Sequence, residues 1–115
     1  MKTSDSDRLY KIVTTWDDLK KQIEANGITR DRLLNSQFFQ WAVTTPLYNI
    51  GEHVYYLSPE LKARYPDVPW SLVAGLRHRL VHDYEGINWS IIVEVIFENM
   101  EPFVSRVSEI LSEIR

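Results

Sequence analysis

The last quarter of the chain carries one long apolar stripe. Ile91, Ile92, Val95, Ile96, Met100, Phe103, Val107, Ile110, Leu111 and Ile114 recur at helical spacing. Such a period gathers side chains on one face of a helix, whereas a strand would send alternate residues to opposite faces. A stripe of this length needs other apolar helices to bury it. Leu9, Ile12, Val13, Trp16, Leu19 and Ile23 form a second stripe, on a helix of about six turns, and Gly27 supplies its stop.

Ser36 is suited to cap a third run with Phe38, Phe39, Trp41, Ala42, Ile50, Val54 and Leu57 as its apolar positions. Pro46 removes one hydrogen bond inside this run, so a kink or a fresh helix start is expected there. Ser58 and Pro59 read as the cap and first turn of a short helix, and Pro66 and Pro69 end it in a stiff link. Residues 70–84 are expected to form a further helix, with Gly86 just past its end. Asn88 then caps the last helix, which Pro102 should bend. No period-2 strand and no internal repeat stands out. The expected fold is all-α, an up-and-down bundle of four main helices plus a short helix, with residues 1–115 as a single domain.

Composition narrows the chemistry. With no cysteine, disulfides, thiol nucleophiles and Cys-based zinc sites are excluded. A net charge of -3 argues against a broad basic surface that wraps nucleic acid by charge alone. The opening MKTSDSDRLY has no apolar run of a signal peptide, and no segment approaches a membrane span. A soluble cytoplasmic protein without a membrane partner is expected.

Against that background, GLRHRLVHDYEG at residues 75–86 is dense in titratable groups. Arg77, His78, Arg79 and His82 form a local cationic run with no acid among them. One reading is structural: cations at a helix C-terminus satisfy the macrodipole and the last carbonyls, and Arg79 fits that role or pairs with Asp83 or Glu85. A second reading is a metal site, since His78 and His82 are four apart and His53 or Glu52 could supply a third ligand. A third is phosphodiester cleavage in RNA. A histidine can move the 2′-hydroxyl proton or protonate the leaving oxygen. An arginine can hold the phosphate and neutralise its growing charge. Arg77 and His82 are five apart, about 140° around a helix, so their convergence depends on packing. One histidine is few for a step that uses both an acid and a base, and a two-fold dimer would bring two into one cleft.

The spacing Arg77-x4-His82-x-Tyr84 resembles the Arg-x4-His-x-Tyr signature of HepT-like proteins, in the HEPN superfamily. The resemblance extends through the Ile-Gly-Glu segment at 50–52, Leu-Ser-Pro-Glu-Leu at 57–61, Tyr-Pro at 65–66, Pro-Trp at 69–70 and Gly-Leu-Arg at 75–77. His78 follows the motif arginine where Asn or Asp is frequent, Glu85 follows the tyrosine where an aromatic is frequent, and Val93 replaces a frequent Trp. The resemblance implies a dimeric helical bundle whose Arg-His motifs face one cleft. It implies a metal-independent endoribonuclease toxin of a toxin–antitoxin pair, acting on RNA without a cofactor. Its partner would be an MntA-like minimal nucleotidyltransferase that transfers AMP to the motif tyrosine. By position, Arg77 and His82 are then the catalytic pair and Tyr84 the modified residue, with His78, Arg79 and Glu52 as auxiliary candidates. The alternative is a non-catalytic HEPN module that binds a nucleotide or a nucleotidyltransferase.

Overall fold

The computed structural model describes residues 4–81 and 84–114. Among these, every regular element is helical. Helix α1 spans Asp5–Ala25, its first turn capped by Ser4, whose hydroxyl accepts from Asp7 N at 3.1 Å. Gly27 takes the left-handed φ of 61°. This lets Gly27 N reach Glu24 O at 3.2 Å and Ile28 N reach Ile23 O at 2.9 Å. The pair of bonds is a Schellman stop, and Ile23 and Ile28 at its two ends are both buried.

A short helix α2, Arg30–Asn35, was not expected. Thr29 caps it, but it has too few residues to display a period. Helix α3 then runs from Gln37 to Tyr55 behind its Ser36 cap. It passes through Pro46 without interruption, so no new helix begins there. Its apolar phase also differs from expectation. Val43, Leu47, Ile50 and Val54 are buried, while Phe38 and Trp41 are 72% and 56% exposed and Ala42 is exposed as well.

Helix α4, Pro59–Arg64, follows the predicted Ser58 cap. The expected helix over 70–84 is divided. Helix α5 is Trp70–Ala74 and helix α6 is Leu76–Val81. Gly75 between them keeps near-helical angles, and the bonds Gly75 N to Ser71 O (3.0 Å) and Arg79 N to Gly75 O (3.2 Å) carry the rod across. Tyr84–Gly86 is a 3-10 turn rather than more α-helix.

Asn88 caps α7, Trp89–Glu94. A π-helical turn, Val95–Asn99, joins it to α8, Met100–Ile114. Here Met100 N reaches back five residues to Val95 O. The disturbance attributed to Pro102 therefore falls one turn earlier. A proline at 102 cannot bond the Glu98 carbonyl and its ring crowds it, and a widened turn relieves that crowding. Val93, the departure noted in this helix, is buried in the core.

The main rods are α1, α3, α5–α6 and α7–α8, with α2 and α4 as two short helices where one was expected. Helix α1 packs between α3 and α8, and α5–α6 pack on α3. Asp5, at the start of α1, accepts hydrogen bonds from Ser58 N (2.9 Å) and Ser58 Oγ (2.6 Å) just past the end of α3. The two helices thus run antiparallel. At the far side, Trp70 stands edge-on to Phe103 with centroids 6.0 Å apart and donates from Nε1 to Tyr65 O at 3.0 Å. Among the described residues no helix is long and apolar enough to cross a membrane.

Candidate functional site

Helices α3 and α6 meet at Gly51. A Cβ built there would lie 2.9 Å from Arg77 N and 3.1 Å from Val73 O. Only a glycine lets the backbone of α5–α6 approach this closely, and that approach sets Arg77 beside the next residue, Glu52. Gly51→Ala should therefore destabilise the fold despite alanine's helix propensity. Overpacking costs about 1–3 kcal/mol and propensity returns about 1 kcal/mol. Because the obstructing atoms are backbone, a net loss of about 1–2 kcal/mol is expected in urea unfolding.

Arg77 Nε donates to Glu52 Oε1 at 2.5 Å, with the two side chains only 27% and 30% exposed. Tyr48, one turn earlier on α3, donates its hydroxyl to Glu52 Oε2 at 3.0 Å. Both carboxylate oxygens are thus engaged. The hydrogen bond from Arg77 holds the Glu52 carboxyl below its ordinary pKa, against partial burial and with help from Tyr48. The same bond raises the Arg77 guanidinium, and Glu52 raises the Tyr48 phenol. Because Glu52 is depressed in the folded state, the pair adds stability above the ordinary Glu pKa and loses it as pH falls through the lower folded value. The Tm difference between wild type and Glu52→Gln should be largest near neutral pH and shrink below the ordinary Glu range. A difference independent of pH would refute the charge pairing.

Tyr55 and Tyr56 extend the cluster. The Arg77 guanidinium lies 4.2 Å from the Tyr55 ring centroid and 5.8 Å from that of Tyr56. The two rings stand edge to face at 5.0 Å. Arg8 of α1 lies 5.2 Å from the Tyr56 centroid on its own approach. Arg8 Nη1 donates to His53 Nδ1 at 3.2 Å, since an arginine has no acceptor to offer. Burial, then Arg8 and Lys11, lower the His53 pKa, so this imidazole is neutral at pH 7. Lys62 Nζ closes the end of α3 by donating to Tyr55 O at 3.0 Å.

The structure thus brings Arg77 and Glu52 together, and His78 and Arg79 are exposed in the last turn of α6. His82 lies outside the described residues. So does the Tyr84 side chain, whose backbone starts the 3-10 turn. Glu52 is Arg77's counter-charge, and His53 sits against a cation, so neither is placed as a free metal ligand. Among the described residues no group of three His, Asp or Glu is arranged to hold a metal. Sequence reasoning missed Tyr48, Tyr55, Tyr56 and Arg8. Part of the signal was present: Tyr48, Glu52 and Tyr55 follow spacings of four and three, one face of α3. That face continues upward through Thr45, Trp41 and Phe38, opposite the buried Val43, Leu47, Ile50 and Val54.

The Ribonuclease HepT-like family matches residues 17–110. A candidate RNase of Methanocaldococcus jannaschii is 35% identical over 107 residues, 92% of this chain and 86% of its own. A candidate RNase of Caldanaerobacter subterraneus subsp. tengcongensis is 33% identical over 87 residues, 76% of this chain and 78% of its own. A probable ribonuclease HepT of Thermococcus cleftensis is 30% identical over 61 residues, 53% of this chain and 56% of its own. No solved structure matches significantly. The family match spans the helices that build the Arg77 site, and the first two relatives extend along most of the chain: it belongs to the HepT-like ribonuclease family.

Proposed function

We propose that the chain is a metal-independent endoribonuclease toxin whose Arg77 and His82 act from two protomers in one cleft. The observation that carries this reading is the seat of Arg77. It is partly buried, aligned through Nε by Glu52, and flanked by tyrosine rings. Its terminal nitrogens make no hydrogen bond among the described residues, which leaves a fork for a phosphate. In the reaction, the ribose 2′-oxygen bonds to phosphorus as the bond from phosphorus to the 5′-oxygen breaks. One His82 takes the 2′ proton, and its dimer mate returns a proton to the 5′-oxygen. Arg77 balances the charge that grows on the phosphoryl oxygens. Transfer of AMP to Tyr84 by an MntA-like nucleotidyltransferase would silence the toxin.

The alternative, a non-catalytic module that binds a nucleotide or a nucleotidyltransferase, draws on Arg77 being already neutralised by Glu52 and on exposed Glu85 near the motif. Purified protein incubated with RNA in EDTA separates the two. Cleavage that persists in chelator, from a species that light scattering sizes as a dimer or larger even oligomer, is the expected result. Intact RNA, or activity from a monomer, would overturn the proposed site.

A further inference from the structure

We infer that Tyr55 and Tyr56, with Arg8 and Arg77, form a stacking platform for the bases of single-stranded RNA beside the scissile phosphate. The inference rests on the ribonuclease reading and adds a substrate class to it. The two adjacent rings are 50% and 53% exposed. They are held rather than free. The edge-to-face contact fixes one ring against the other, and Lys62 ties the backbone below them.

Two guanidiniums lie near Tyr56, Arg8 at 5.2 Å and Arg77 at 5.8 Å from its centroid. Arg8 meets neutral groups in the described structure, the His53 nitrogen and this ring, so its charge is available to a phosphate. A pair of contacting rings with guanidiniums beside them suits a strand that presents bases and phosphates side by side. A duplex keeps its bases stacked inside and offers these rings nothing. Single strands, loops and bulges are therefore the substrates that fit. Tyr55 and Tyr56 act here by binding and positioning, not in proton transfer.

The test is binding of a fluorescent 2′-O-methyl oligonucleotide, which lacks the attacking hydroxyl and so reads binding whether or not the chain cleaves RNA. Alanine at both Tyr55 and Tyr56 should weaken single-strand binding about tenfold or more, and phenylalanine at both should stay within about twofold because the rings remain. A strand of equal length without bases should bind wild type weakly and not distinguish the alanine variant. Arg8→Ala should lower the slope of log affinity against log salt by about 1. Alanine variants that bind as wild type, or that lose affinity equally for strands with and without bases, would overturn the platform. So would a loss that coincides with dissociation in light scattering, which would assign the tyrosines to contact with a second copy. Failure of wild type to cleave RNA while this binding pattern holds would count against the ribonuclease reading alone.

Discussion

Alanine at Arg77 or at His82 is expected to abolish RNA cleavage while the bundle stays folded. The loss should reach at least about 100-fold in rate for either, because a phosphate clamp and a proton-transfer group each contribute on that order. The two should differ in what survives. Arg77→Ala also removes the counter-charge of a carboxylate that is only 30% exposed. Glu52 is then left with Tyr48 alone, so a modest fall in Tm accompanies the loss of activity. Arg77→Lys would keep the charge but lose the fork, and should rescue stability more than rate. His82→Ala is expected to stay folded. Cleavage retained by folded His82→Ala protein would sink the assignment. Cleavage lost only on chelation would revive a metal site built on His78 and His82.

Tyr84→Phe is expected to yield a toxin that its partner cannot silence. The phenol oxygen would attack the α-phosphorus of ATP, pyrophosphate would leave, and the proton would pass to solvent. AMP so attached would add an anion to the motif, and on the proposed reading it would repel the RNA backbone and compete for the Arg77 fork. Phenylalanine keeps the ring and removes only the acceptor oxygen. Intact-mass spectrometry after co-expression with a neighbouring nucleotidyltransferase should show AMP on wild type and none on the variant. Equal adducts on both, or none on wild type, would move the modification elsewhere or dismiss it.

Helix ends were the most legible part of the sequence. Gly27, Ser36, Ser58 with Pro59, and Asn88 each mark an end that the backbone respects, because capping is decided by a residue and its near neighbours. Phase on α3 was harder. Phe38 and Trp41 have the apolar bulk of core residues, yet the smaller Val43 and Leu47 are the ones buried. Which face turns inward is a tertiary decision, and bulk alone misjudges it. The π turn was half legible: Pro102 announced a disturbance, but the widened turn sits before the proline rather than at it. In the site, Glu52 and Arg77 were both visible as chemistry, but not as partners. They are 25 residues apart, and their contact exists because Gly51 between two packed rods lacks a side chain.

The Glu52–Arg77 pair also bears on how the protein meets a polyanion. An arginine that carries its own counter-ion projects little field beyond the Debye length, about 8 Å at physiological salt. The net charge of -3 adds no long-range attraction. Encounter with RNA then proceeds at the unsteered rate of neutral partners, on the order of 10⁵–10⁶ M⁻¹s⁻¹, and selection is deferred to contact. There a phosphate meets the terminal nitrogens of a guanidinium whose Nε already holds a carboxylate. Stretches of RNA that offer only charge gain little from an arginine so compensated.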